Sequence, residues 1–205
     1  GSLASAHENC SSVFTWSVRD RAAQRVVLRR GGGAEKSDCS ARAAPLAASA
    51  LSVSACAHFC VVGYADGLLQ RFHMQAGLSR GAYARLPPPT TSTTATTTPS
   101  TAAEGPAAEG LALAHAGCVS GVFVDQAGAV VASCGADGAL RFWALHAHRL
   151  LSEEPLPAPP RLLRGCRAAN LLVVADAADA LRVFDVGARR LVRVFLDGCL
   201  GGVAD

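Results

Sequence analysis

Apolar and polar positions alternate in the same way in three segments of the chain: residues 59–72, 130–143 and 171–184. Each segment begins with an apolar run, passes through a tight polar turn and ends in a second run that closes on an aromatic residue. Asp66-Gly67 and Asp137-Gly138 form the turns of the first two segments, and Asp-Gly is among the strongest sequence signals for a β-hairpin. The pattern therefore predicts a series of antiparallel hairpins.

The aromatic residues that end these runs give the length of the repeat. The step from Trp143 to Phe184 is about 40 residues, which is the length of one four-stranded blade of a β-propeller. A weaker copy, residues 10–16, ends at Trp16 and keeps only the second strand of the hairpin. The longer steps before Trp143 are explained by a Gly-rich insertion near residues 31–38 and by a Thr/Pro/Ala-rich stretch, residues 87–109, which we expect to be a disordered loop.

The sequence thus predicts an all-β chain that forms a partial propeller of about three and a half four-stranded blades. The high Ala content favours helix, but the period-two pattern and the turn residues outweigh it. In the best copy the predicted strands are residues 119–124, 130–134, 139–143 and 148–152. The predicted blades are residues 9–30 (partial), 46–86, 111–152 and 161–196, with the start of another at 199–205. An incomplete ring should expose strand edges and apolar surface, and such a piece would be marginally stable alone.

Composition narrows the function classes only a little. Half of the residues are apolar and 17% are charged, which fits a packed protein, and a net charge of +3 does not by itself indicate a nucleic-acid binder. The chain shows no secretory signal. Residues 43–65 carry no charge, but they are mostly Ala and Ser and include Pro45 and His58, so we expect no membrane association.

The eight cysteines form no C-x-x-C pair. The nearest approach to a metal site is Cys56, His58 and Cys60, which would share a face if they alternated along one strand. A zinc site needs a fourth ligand, usually from a second pair, and the sequence offers none. We therefore expect free thiols in a reducing compartment, with no metal and no cofactor.

The copy around Trp143 resembles the WD-repeat family, whose consensus has Gly-His, a Ser or Thr on the second strand, a turn Asp and a final Trp-Asp. The matching residues are His115, Ser133, Asp137 and Trp143. Ala144 replaces the final Asp, and the Gly before His115 is also Ala. The resemblance implies that these four side chains form a buried hydrogen-bond relay that links the strands of one blade, which would give each buried polar group a partner.

Ser133, His115 and Asp137 also have the composition of a hydrolase triad. That function needs an exposed nucleophile and an oxyanion hole, and no G-x-S-x-G motif surrounds Ser133. We therefore predict a non-enzymatic protein without a small-molecule substrate, and burial of Ser133 would exclude the hydrolase.

A small basic cluster near the end of the chain is a candidate contact for RNA or an acidic partner. It consists of Arg189, Arg190 and Arg193, and on a strand Arg189 and Arg193 would share a face. The alternative is a solvated strand edge.

Three segments also resemble one particular family, the WD-repeat subunit of the UTP-B complex of the small-subunit processome. Residues 72–83 are similar to its Tyr-Asn-Met-Gln-Ser-Gly and His-Arg-Gly segment, 121–143 to a strand followed by Asp-Gly-Leu-Leu-Lys-Phe-Trp, and 189–198 to Arg-Lys-Ile-Val-Arg-Glu-Phe-Ser-Gly-His. Residues 202–205 resemble the start of its next inner strand. Cys199 and His73 depart from the family pattern.

The resemblance implies a nuclear, nucleolar protein with two tandem propellers and a helical C-terminal domain, this chain being the first half of the second propeller. Such a protein would assemble the U3 small nucleolar ribonucleoprotein on pre-rRNA, together with other WD-repeat and helical subunits and with contact to pre-rRNA or small nucleolar RNA. The alternative is a WD-repeat adaptor of another complex: a ubiquitin ligase receptor, or a chromatin or trafficking scaffold.

Overall fold

The computed structural model describes residues 2–30, 47–85 and 112–196. The regular elements in these ranges are antiparallel β-strands, and no helix within them is long and apolar enough to cross a bilayer. The predicted insertions at 31–38 and 87–109 and the predicted blade start at 199–205 lie outside the described residues.

The first two sheets contain the strands up to residue 113. Sheet 1 consists of β1 Ser2–Ala6, β2 Ser12–Ser17 and β3 Ala22–Arg29. Sheet 2 consists of β4 Ala48–Val53, β5 Phe59–Tyr64, β6 Leu69–His73, β7 Ser79–Arg85 and the short edge strand β8 Ala112–Leu113. In both sheets each strand pairs with the next along the chain.

The last two sheets have four strands each and the same order. Sheet 3 consists of β9 Val119–Val124, β10 Val130–Gly135, β11 Ala139–Ala144 and β12 Leu150–Pro155. Sheet 4 consists of β13 Pro160–Cys166, β14 Leu171–Asp176, β15 Leu181–Asp185 and β16 Arg190–Phe195. Four successive antiparallel sheets are the architecture of propeller blades, and the predicted all-β partial propeller is confirmed.

The sheets stack face to face, and the core lies in the layers between them. Sheets 1 and 2 enclose an apolar layer around Leu28 and Phe72, sheets 2 and 3 one around Tyr83 and Trp143, and sheets 3 and 4 one that includes Phe142. Each layer uses the alternate residues of its strands that point toward the neighbouring sheet. Repeated sheets thereby bury apolar faces that one sheet alone would leave exposed.

The inner strands β4, β9 and β13 run side by side in the same direction. Ser49 near the start of β4 donates its hydroxyl to Val119 O (2.7 Å), while the Val124 N–H at the end of β9 donates to Ser52 Oγ (3.1 Å). Close approach depends on glycine, because a Cβ on Gly121 would overlap the Leu163 side chain of the next sheet. The shared direction places equivalent turns of all sheets at the same end of the molecule.

Two ends can therefore be named. The Arg167 end contains the turns β2–β3, β4–β5, β6–β7, β9–β10, β11–β12, β13–β14 and β15–β16. The His115 end contains the turns β5–β6, β10–β11 and β14–β15, and the connections that lead into β4, β9 and β13. The β1–β2 turn of sheet 1 lies at this end too, because the Ala48 N–H at the start of β4 donates to Cys10 O (2.9 Å).

Sheet 1 differs from its sequence-based prediction. The repeat copy at residues 10–16 was expected to keep only the second strand of its hairpin, but β2 has β1 on one side and β3 on the other. The sheet begins at Ser2, ahead of the predicted start. β1 was missed because its Ser-Leu-Ala-Ser-Ala sequence has one large apolar residue, so a strand pattern is barely visible.

The outer strand of sheet 3 is also displaced from its prediction at 148–152. His148 has a φ of 55° and belongs to the turn, so β12 starts only at Leu150 and continues to Pro155. Glu153, beyond the predicted end of the strand, lies in register with Arg141.

Candidate functional site

The polar residues selected in sheet 3 come from four places in that sheet. His115 precedes β9, Ser133 lies on β10, Asp137 occupies the β10–β11 turn and Trp143 lies near the end of β11. The His115 N–H donates to Gly67 O (3.1 Å), which fixes the segment against the β5–β6 turn of sheet 2. His115, Ser133 and Trp143 are buried.

The four side chains meet in one chain of hydrogen bonds. The Trp143 indole N–H donates to Ser133 Oγ (2.9 Å), Ser133 Oγ lies 2.8 Å from His115 Nε2, and His115 Nδ1 lies 2.9 Å from Asp137 Oδ1. Because the serine oxygen accepts the indole N–H, its own hydrogen is available for Nε2, while His115 Nδ1 faces both Asp137 Oδ1 and, at 2.6 Å, Arg141 Nη1. Asp137 Oδ2 also accepts the Ala116 N–H (3.1 Å), so each buried polar group has a partner.

Electrostatics favour a neutral imidazole beside an ionised carboxylate. Burial lowers the pKa of His115, although Asp137 opposes that shift. Burial also tends to raise the pKa of Asp137, but the hydrogen bonds from His115 and Arg141 outweigh it and hold that pKa well below its ordinary value. Near neutral pH the relay therefore contains one negative charge, which Arg141 offsets.

Arg141 is the residue that sequence reasoning missed. Its guanidinium is buried, and it donates from Nη1 to Asp137 Oδ2 (2.6 Å) and from Nη2 to Glu153 Oε1 (3.0 Å). A signal was present, because Leu-Arg follows the turn in two copies, at residues 140–141 and 181–182. Arg182, at the equivalent position of sheet 4, pairs instead with Asp176, the last residue of β14.

The Asp in the β5–β6 turn of sheet 2 forms its ion pair with an arginine from another sheet. Asp66 precedes Gly67 in the β5–β6 turn and accepts the guanidinium of Arg30, which follows β3 in sheet 1, at 2.5 Å. Burial tends to raise the pKa of Asp66, but the pairing with Arg30 leaves it below the ordinary value. Gly67 and Gly138 both have positive φ values, 92° and 71°, as their place in tight hairpin turns requires.

The Ser-His-Asp arrangement has the connectivity of a hydrolase triad, but it cannot act as one. Ser133 has no exposed surface, and its Oγ is already bound to Trp143 and His115. A catalytic serine must reach a substrate carbonyl, and no substrate atom can approach this one. The geometry excludes Ser133 as a nucleophile.

The basic cluster of sheet 4 is not arranged as predicted. Arg189 lies in the turn before β16 with a φ of 53°, so it does not share a strand face with Arg193. Arg190 lies opposite Asp185 in the register, and the Arg193 guanidinium is 5.0 Å from the centre of the Phe195 ring. The strand argument for one joint contact surface was wrong, because the chain turns at Arg189.

The three candidate metal ligands, Cys56, His58 and Cys60, do not converge on one site. Cys56 and His58 lie exposed in the β4–β5 turn, where Ala57 has a φ of 58°, whereas Cys60 is buried in β5. Because Cys56 and His58 lie in the turn and not on the strand, they do not share a strand face with Cys60. Within residues 2–30, 47–85 and 112–196 no group of three His, Cys, Asp or Glu side chains could hold a metal ion.

Comparison with known proteins gives two distant relatives and a fold match. No family model matches the chain. It is 25% identical over 150 residues to human WD repeat-containing protein 36, an alignment that covers 73% of this chain and 14% of the human protein. It is 22% identical over 189 residues to the U3 small nucleolar RNA-associated protein 21 homolog of Schizosaccharomyces pombe, covering 92% of this chain and 17% of that protein.

Among solved structures, that of U3-55K superimposes with a TM-score of 0.65 and 15% sequence identity, over 95% of this chain and 48% of U3-55K. At that identity the likeness establishes the fold, a WD-repeat propeller. The chain spans less than a fifth of the length of either curated relative. The chain is therefore a partial WD-repeat β-propeller with weak homology to WD repeat-containing protein 36 and to the U3 small nucleolar RNA-associated protein 21 homolog.

Proposed function

We propose that this chain is part of a non-catalytic scaffold of the small-subunit processome, which supports assembly of the U3 small nucleolar ribonucleoprotein and processing of small-subunit rRNA. The observation that carries the proposal is the alignment with the U3 small nucleolar RNA-associated protein 21 homolog, which extends over 92% of the chain. The proposed location is the nucleolus, and the proposed partners are other WD-repeat and helical subunits of a large ribonucleoprotein.

The arrangement of polar groups supports a scaffold. The most elaborate polar network, His115 to Trp143, is satisfied within one sheet and is closed to solvent at Ser133. WD-repeat propellers are generally scaffolds, whose stacked sheets present turns and edges to partners. We propose that the relay holds the strands of sheet 3 together and takes no part in chemistry.

Affinity purification of the tagged full-length protein tests this proposal. We expect U3 small nucleolar RNA, 5′ pre-rRNA and ribonucleoprotein subunits to be enriched over a second small nucleolar RNA and over a tag-only control. Treatment with RNase before capture separates partners held by protein contacts from those held through RNA. Recovery of ubiquitin ligase, chromatin or coat components without U3 RNA would contradict the proposal and favour a WD-repeat adaptor of another complex.

A further inference from the structure

Four planar side chains form a continuous row at the Arg167 end, which we call the ring row: His58, His73, Phe59 and His146. The rings of His58 and His73 are almost parallel, with an interplanar angle of 5° and centroids 6.3 Å apart. Phe59 meets His73 edge to face at 5.7 Å and His146 at 5.5 Å. The row thereby crosses from the hairpin of sheet 2 to the β11–β12 turn of sheet 3.

The two ends of the row are open to solvent. His58 and His146 are exposed, while His73 and Phe59 between them are half-buried. Arg71 contacts two of the four rings: its guanidinium lies 5.1 Å from the Phe59 ring centre and 3.3 Å from His146 Nδ1, and it donates to Leu145 O at 2.5 Å. The row is therefore a supported surface of planar groups.

Several arginines lie at the same end as the row. Arg167 donates to Val124 O (3.3 Å) and to Val53 O, so its half-buried guanidinium lies beside the β4–β5 turn that carries His58. The exposed arginines of other turns at this end are Arg19, Arg21 and Arg149. This end is where a polyanion would be attracted.

The acidic residues of the Arg167 end are engaged locally. Asp20 accepts the Ser17 hydroxyl, Asp125 is buried against the backbone N–H groups of its own turn, and Asp185 accepts the Ala188 N–H. At the His115 end, by contrast, the described turns carry acidic residues: Glu8, Asp66, Asp137 and Asp179. Three of these acids are already paired with arginines: Asp66 with Arg30, Asp137 with Arg141 and Asp179 with Arg161. Among the described residues, Arg19, Arg21 and Arg149 form no such ion pair, so the Arg167 end presents unpaired positive charge.

We infer that the ring row binds single-stranded RNA, an inference that rests on the proposed function for the choice of RNA over DNA. Proteins bind single strands by stacking bases on planar side chains, including His and Phe, and by attracting the phosphates with basic residues. His58 and His146 are exposed and therefore accessible to bases, and the arginines lie at the same end. An acidic peptide would use the cations but not the rings.

Fluorescence anisotropy with the full-length protein tests this inference. The probe is a labelled single-stranded oligouridine of about 20 nucleotides, long enough to cross a site of this kind. The variants are His58→Ala and His146→Ala, both at exposed positions, and the matched control is His7→Ala, an exposed histidine with a ring contact at the opposite end. Thermal melting verifies that each variant is folded.

We expect each ring-row variant to weaken binding of the oligouridine about fivefold or more, and His7→Ala to leave it unchanged. Added salt should weaken binding further, and double-stranded RNA or polyglutamate should compete poorly. Equal binding by all three variants, absence of oligouridine binding, or equal competition by polyglutamate would overturn the inference. Co-purification of U3 RNA with the wild-type protein and with the ring-row variants is a separate readout. Absence of U3 RNA from the wild-type purification would defeat the proposed function, whereas recovery of U3 RNA with variants that have lost oligouridine binding would support both proposals.

Discussion

At the scale of single residues, the relay shows how a few buried polar groups determine local stability. The Ser133 hydroxyl is the centre of the relay, because it is hydrogen-bonded to both the Trp143 indole and the His115 imidazole. A buried donor or acceptor left without a partner costs more than the hydrogen bond itself contributes. The consequences of removing one group can therefore be large.

Ser133→Ala should destabilise sheet 3 by about 1–3 kcal/mol, because it leaves the Trp143 N–H and His115 Nε2 unsatisfied in a buried site. Hydrogen exchange of peptides from residues 112–155 in the full-length protein measures this locally. Ser152→Ala is the matched control, since Ser152 Oγ has no hydrogen-bond partner among the described residues and its loss should be nearly neutral. Equal exchange in the two variants would show that the relay does not stabilise the sheet.

The stability of sheet 3 should also depend on pH through His115. Burial lowers the pKa of His115 in the folded chain, so the unfolded chain binds the proton more readily. The stabilisation is therefore complete above about pH 6.5, the ordinary histidine value, and decreases as the pH falls below it. Asp137, whose folded pKa is lowered, adds a second loss only below about pH 4.

Hydrogen exchange of sheet 3 near pH 5 and near pH 8, corrected for intrinsic rates, measures this dependence. His115→Gln removes the titrating group, so the difference between the two pH values should become smaller in that variant. A dependence that persists unchanged would assign it to other groups, such as His148, whose pKa burial also lowers.

At the scale of secondary-structure elements, two turn glycines at equivalent hairpin positions have different surroundings. Both have positive φ, which strains any residue with a Cβ. A Cβ on Gly138 would come no nearer than 3.7 Å to Leu156 O, whereas on Gly67 it would overlap the carbonyl oxygen of His115. The β5–β6 turn therefore needs glycine for conformation and also for contact between sheets.

Gly138→Ala should cost about 1–2 kcal/mol, the strain of a left-handed conformation alone. Gly67→Ala should cost clearly more, because the segment that carries His115 must also move. Hydrogen exchange of peptides spanning residues 59–73 and 130–144 reports both effects in the same experiment. Comparable losses at the two positions would mean that the contact between Gly67 and His115 is unimportant.

The sequence was informative where structure is determined locally. Asp-Gly turns and period-two apolar runs predicted the hairpins of sheets 2 and 3, because both signals depend on neighbouring residues. β1 was missed because its residues are small, and Arg189 was misplaced because nothing nearby marks its positive φ. The Arg30–Asp66 pair joins different sheets, so no local pattern could indicate it.

At the scale of the whole molecule, the sheets stabilise one another through their contact layers and through side chains that cross between them. Arg71 and Tyr83 of sheet 2 both donate to Leu145 O of sheet 3, and Arg167 of sheet 4 reaches the ends of β4 and β9. Sheets 1 and 4 also carry exposed apolar side chains, among them Leu3 and Val192. Such apolar surface is typical of positions where further protein packs.

The chain forms stacked propeller sheets, and we propose that they are consecutive blades within a U3-containing ribonucleoprotein. A cryo-electron microscopy map of the native complex, purified through the full-length protein, tests it most directly. We expect sheets 1 to 4 to occupy successive blade positions, with β4, β9 and β13 innermost, in a particle that contains U3 RNA. A map in which these strands belong to no common propeller, or in which the propeller belongs to a particle without U3 RNA, would contradict the account.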